Sequence, residues 1–117
     1  MNGKLTTHVL DTSIGRPAEG MGIELWGIEG DSRLLLGTAV TNADGRVDAP
    51  LLQGDELREG MYELVFAAED YFRGQKVPDD RLIFDRIPIR FRVKDVTAHY
   101  HIPLLAAPGG YSTYRGS

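Results

Sequence analysis

Apolar positions along the chain fall in short runs, several alternating with polar ones, and Gly, Pro, Asn and Asp interrupt them at close intervals. The clearest run is Ile87, Ile89, Phe91 and Val93, alternating with Pro88, Arg90, Arg92 and Lys94. A period of two predicts a strand with one buried and one solvated face. Pro88, lacking an N–H, places its start there or puts it at a sheet edge. Leu5 to Asp11, Met21 to Ile28, Arg33 to Thr41, Met61 to Ala67 and His99 to Ala106 read as further strands. Arg46 to Pro50 reads as a short return strand after Asn42-Ala43-Asp44-Gly45, a turn in which Gly45 takes a positive φ cheaply. Gly15-Arg16-Pro17 punctuates the first strand, and Pro108-Gly109-Gly110 turns into a last one running from Tyr111 towards Ser117. Glu69 to Gln75, with acids at its start and Gly74 near its end, predicts a helix of one or two turns. About eight closely spaced strands and one short helix predict an all-β fold, an antiparallel β-sandwich.

At 117 residues the chain forms a single domain, 1–117. A chain of this size buries roughly two-thirds of its unfolded surface around one core. Its 42% hydrophobic and 26% charged residues are those of a globular protein. The net charge of −4 argues against nucleic acid held by bulk electrostatics. With no cysteine there is no disulfide frame, thiol nucleophile or thiolate zinc site. The N-terminal residues lack the apolar segment of a signal peptide, and no run approaches the roughly 20 apolar residues that span a bilayer. A cytoplasmic protein without membrane partners is expected.

Chemistry is sparse. Alternation puts His99, His101 and Pro103 on one face of their strand, and Tyr100, Ile102 and Leu104 on the other. His8 shares a face with Thr6 and Leu10, so neither His8 nor His101 need point into the core. Such imidazoles are most simply surface or interface groups; they also suit proton transfer near neutral pH, and, with His99, zinc binding, for which the spacing is a weak signal because any His-x-His strand offers it. Arg46 follows a turn and in isolation is a solvated charge. The segment Tyr111-Ser112-Thr113-Tyr114-Arg115-Gly116-Ser117 concentrates hydroxyls, phenols and a guanidinium. Phosphate loops, nucleophile elbows and EF-hand patterns are absent from the sequence.

Three segments together resemble the 5-hydroxyisourate hydrolases, the transthyretin-like enzymes of urate breakdown. They are Leu5-Thr6-Thr7-His8-Val9-Leu10-Asp11 continuing through Gly15-Arg16-Pro17-Ala18, then Thr41-Asn42-Ala43-Asp44-Gly45-Arg46, and His99-Tyr100-His101-Ile102-Pro103-Leu104-Leu105 running on to Tyr114-Arg115-Gly116-Ser117. Carried over residue by residue, the resemblance implies a transthyretin-like sandwich and a catalytic group of His8, Arg46, His101 and Ser117. It implies that Tyr114, Arg115 and Gly116, together with His8 and Arg46, contact the substrate. The implied reaction is hydrolysis of 5-hydroxyisourate to 2-oxo-4-hydroxy-4-carboxy-5-ureidoimidazoline, without metal or other cofactor. A homotetramer, a dimer of dimers with sites in the channel between dimers, is implied with it. The apolar run Ile102 to Leu105 is expected to leave surface for a partner subunit. Two stretches depart from the family pattern, Asp85-Arg86-Ile87-Pro88 and Gly109, where aromatic residues are usual. Either imidazole suits the role of base for water, with Arg46 holding a substrate oxygen and Ser117, through its hydroxyl or a terminal carboxylate, orienting a histidine or the water. The alternative reading is a transthyretin-like carrier that binds small aromatic ligands without chemistry.

Overall fold

The computed structural model describes residues 2–116, in two facing sheets. Its strands are β1 (Lys4–Asp11), β2 (Arg16–Pro17), β3 (Gly22–Glu29), β4 (Ser32–Val40), β5 (Leu52–Gln53), β6 (Gly60–Phe66), β7 (Ile87–Val93), β8 (His99–Ala107) and β9 (Gly110–Thr113), with one helix, α1 (Ala68–Gly74). One sheet has the order β2-β1-β8-β9, with β5 also pairing β1; the other has β4-β3-β6-β7. Among the described residues no helix is long and apolar enough to cross a membrane.

The alternation of β1 and β8 divides their side chains cleanly. Leu5, Thr7, Val9 and Asp11 point inward and are buried, as are Tyr100, Ile102, Leu104 and Ala106. They meet Ile23 and Leu25 of β3, Leu64 and Phe66 of β6, and Ile87 and Val93 of β7. Helix α1 closes part of this core with Ala68, Tyr71 and Phe72. Two polar groups enter it with partners. The Thr7 hydroxyl donates to the Ile102 carbonyl at 2.7 Å. The Tyr71 hydroxyl donates to Asp11 at 2.8 Å. Desolvation, then the bond and charge of Asp11, push the Tyr71 phenol well above its ordinary range. Among the described residues no buried side-chain nitrogen or oxygen lacks a hydrogen-bond partner.

The sandwich matches the expected class, and four details differ. β1 and β8 pair in parallel, joining strands from opposite ends of the sequence. Local alternation carries no information on strand direction. Arg46 to Pro50 is not a strand: Arg46 makes a single antiparallel bridge to His8, and β5 supplies the pairing with Lys4 and Leu5. Pro50 cannot donate to a ladder. Arg16 and Pro17, expected as punctuation, form a two-residue edge strand against Leu10 and Asp11. Ile102 and Leu104 are spent on the core, so the apolar surface expected from Ile102 to Leu105 is reduced to half-buried Leu105. Exposed apolar side chains lie instead at Leu34, Leu35, Leu36 and Val40 on edge strand β4, and at Ile14, Ile83, Tyr111 and Tyr114. β7 starts at Ile87 and lies at a sheet edge, one of the two placements that Pro88 allowed.

Candidate active site

The outward face of the β1–β8 pair carries the candidate chemistry. The parallel register sets Lys4 beside His99, Thr6 beside His101 and His8 beside Pro103, all on the face away from the core. The turn after β4 brings Arg46 to the same place. The Asn42 side-chain oxygen accepts from the backbone N–H groups of Asp44 at 2.9 Å and Arg46 at 3.2 Å. Gly45 sits at φ +73°, and a Cβ there would lie 2.4 Å from the Val9 carbonyl oxygen. That approach lets the Val9 N–H donate to the Gly45 carbonyl at 2.8 Å. Arg46 then stands opposite His8.

The C-terminal segment arrives on the other side of β8. Thr113 opposes Leu104, and after a break Gly116 opposes His101 in the same register, with its N–H donating to the His101 carbonyl at 2.7 Å. A Cβ on Gly116 would come within 2.6 Å of Cδ2 of His101, so only glycine lets the chain pass over this ring. The guanidinium of Arg115 lies over the Tyr100 ring, 4.3 Å from its centroid, and Nη2 donates to the His99 carbonyl at 3.3 Å. Tyr114 is exposed. Ser117 lies outside the described residues.

The result is a cleft of about 360 Å³ whose polar lining includes Lys4, Thr6, Arg46, Asp48, His99 and His101. His8 stands beside it, its ring 6.3 Å from that of His101 and within 27° of parallel. Thr6 Oγ1 is hydrogen-bonded to two imidazoles at once, His101 Nδ1 at 2.8 Å and His99 Nε2 at 2.7 Å. Nothing in the residue pattern singled out Thr6, one of two adjacent threonines. Only the register of β1 on β8, which is not local, shows that its hydroxyl faces the imidazoles.

All three imidazoles are held below the ordinary histidine range. For His101 the causes are burial, then the charge of Arg46, then His8 and His99. For His8 they are burial and Arg46. For His99 they are burial, Lys4 and Arg115. Neutral imidazoles beside a permanent cation have the character required of proton acceptors near pH 7. Among the described residues no group of three or more His, Asp or Glu side chains is placed to hold a metal ion, so the zinc reading finds no ligand set there.

Of the residues expected in the site, His8, Arg46, His101 and Gly116 come together. Tyr114 is exposed and is not among the residues that line the cleft, and Arg115 turns towards Tyr100 rather than into it.

Comparison with known proteins gives this arrangement a context. Residues 5–116 match the model of the HIUase/Transthyretin family. The 5-hydroxyisourate hydrolase 2 of Rhizobium meliloti (strain 1021) is 56% identical over 118 residues, covering 99% of this chain and 98% of that protein. The solved structure of Klebsiella pneumoniae 5-hydroxyisourate hydrolase superposes with a TM-score of 0.82 at 39% identity, covering 98% of this chain and 99% of that one. That of an (S)-allantoin synthase superposes with a TM-score of 0.93 at 42% identity; the chain is covered to 99% but spans only 44% of that longer protein.

Proposed function

The chain belongs to the HIUase/transthyretin family, and on that premise we propose that it hydrolyses 5-hydroxyisourate to 2-oxo-4-hydroxy-4-carboxy-5-ureidoimidazoline with His101 as general base. The observation that carries the choice of His101 over His8 is its anchoring. The Nδ1 of His101 is bonded to Thr6, while among the described residues its Nε2 has no partner. A base works best when a third group fixes its ring and leaves the other nitrogen for the proton. His8 has no such hydrogen bond among the described residues; it stands against His101 and opposite Arg46.

In this reading the substrate's six-membered ring lies across the cleft. Water adds to the ring carbonyl carbon as its proton passes to Nε2 of His101. The carbonyl oxygen becomes an oxyanion, and the Arg46 fork of N–H donors holds it or the adjoining substrate oxygen. On collapse the C–N bond breaks and the proton on His101 goes to the departing nitrogen. His8 positions the planar ring, and the Ser117 hydroxyl orients the attacking water. Tyr114 and Gly116 bound the site, and Arg115 braces the segment that carries them through its contact with Tyr100.

The same reading includes a homotetramer, with the open face of the β1–β8 pair lining the channel between dimers, and a cytoplasmic location, which fractionation of the native source tests. A direct test of the chemistry compares His101→Ala with His8→Ala. Positioned proton transfer contributes about 10²–10⁴-fold. The expected result is a loss of kcat in that range for His101→Ala, and a rise mainly in KM for His8→Ala. Undiminished turnover by His101→Ala contradicts the assignment.

A further inference from the structure

A hydroxyl has one hydrogen to give, and Thr6 Oγ1 lies within hydrogen-bond distance of a ring nitrogen of each of two histidines. Between neutral rings it therefore donates to one and accepts from the other. Two arrangements result. In the first, His101 Nδ1–H donates to Thr6 and the Thr6 O–H donates to His99 Nε2, which leaves a lone pair on His101 Nε2. In the second, all bonds run the other way, and His101 Nε2 carries a hydrogen. In the first, His101 can accept a proton at Nε2; in the second, that nitrogen is already protonated and can only donate.

We propose that Thr6 is a positioning residue that sets the tautomer of His101 and links it to His99, so that charge taken up at His101 is passed to the exposed start of β8. The inference rests on His101 being the base. As water adds, its proton joins His101 Nε2. The hydrogen on Nδ1 then moves to the Thr6 oxygen, and the Thr6 hydrogen moves to His99 Nε2. The three groups have gained the one proton lost by water, and the positive charge sits on His99. When the C–N bond breaks, the Nε2 proton goes to the leaving nitrogen and the same two hydrogens return, restoring the starting state.

The surroundings favour this direction of transfer. His101 is half-buried and faces Arg46 from the loop, His8 from β1 and His99 on its own strand, so a cation there is opposed on several sides. His99 is exposed. Lys4 of β1 and Arg115 of the C-terminal segment are the cations that face it, and Asp48 lines the same cleft. Water reaches His99 and screens what its neighbours oppose.

The test uses the full chain and three variants. Thr6→Val keeps the side-chain shape without the hydroxyl, and Thr6→Ser restores the hydroxyl. Nitrogen-15 spectra of the histidine rings, taken at a pH where all are neutral, are expected to show His101 protonated at Nδ1 in the wild type and in Thr6→Ser, and predominantly at Nε2 in Thr6→Val. The kcat of Thr6→Val is expected to fall about 10²-fold, the lower end of what positioned proton transfer contributes, with KM little changed. Because Thr6 and His99 act as one chain, adding His99→Ala to Thr6→Val is expected to cost nothing further. Wild-type turnover in Thr6→Val, an equal loss in Thr6→Ser, an Nε2-protonated His101 in the wild type, or additive losses in the double variant each overturn the inference. Its failure is separable from that of the base assignment. Undiminished turnover by His101→Ala removes the base, whereas the ring spectra judge Thr6 without reference to turnover.

Discussion

Arg46 acts on the imidazoles through its charge. Its guanidinium is one of the causes that hold both His8 and His101 below the ordinary imidazole range of about 6.5. The basic form of His101 is therefore available throughout the neutral range, and activity falls only as pH drops through the lowered value. Removing the positive charge makes protonation easier and raises that value. The acid limb of kcat/KM for Arg46→Gln is thus expected at higher pH than in the wild type, beside a lower plateau from the lost oxyanion contact. A pH–rate profile of both proteins checks this, and a limb that stays in place or moves to lower pH contradicts it. Alternation alone put His8 and His101 on outward positions of their strands, whereas Arg46, in isolation a solvated charge, became a candidate only through the family resemblance. The sequence did not show Thr6, since one threonine of a Thr-Thr pair is distinguished only by what its neighbouring strand presents.

The elements that build the site were legible where alternation or turn chemistry is strong. β7 and the Asn42–Gly45 turn came from local pattern, and the turn is where a single atom matters most. A Cβ on Gly45 would strike the Val9 carbonyl and would also have to adopt φ +73°. Such backbone strain costs on the order of 1–3 kcal/mol. Gly45→Ala is therefore expected to lower the melting temperature by several degrees and to lower turnover further, because the turn that carries Arg46 lifts away from β1. Thermal unfolding and the activity assay, run on the same preparation, check the pair; an unchanged melting temperature contradicts the close approach. What the sequence did not show at this scale was non-local: the parallel pairing of β1 with β8, and the replacement of a return strand by one Arg46 bridge. Each is decided by which distant backbone offers a free donor or acceptor.

At the scale of the molecule, the candidate chemistry lies on the open face of one sheet, along two strands that are central in it. A cleft of about 360 Å³ on one chain is shallow shelter for a hydrolytic reaction. Catalysis of this kind gains from excluding bulk water. A second sheet face laid against the first supplies that exclusion, which is the physical reason for proposing sites in a channel between dimers. Size-exclusion chromatography with light scattering is expected to give four chains of 12.9 kDa, and a monomer retaining full activity contradicts the channel. The sandwich class was evident from strand spacing, but the interface was not. Ile102 and Leu104, apolar and close to the C-terminal end, turn into the core, while the exposed apolar side chains belong to β4 and a few isolated positions.

The most direct measurement is the decay of freshly generated 5-hydroxyisourate, followed by absorbance with and without the protein, with a chelator present and absent. Because the substrate also decays unaided, the rate without protein is the reference. The account predicts acceleration that is unchanged by the chelator and lost in His101→Ala. No acceleration by the folded protein, or acceleration that the chelator abolishes, contradicts it: the first leaves a chain that binds small aromatic ligands without chemistry, and the second makes the imidazoles metal ligands.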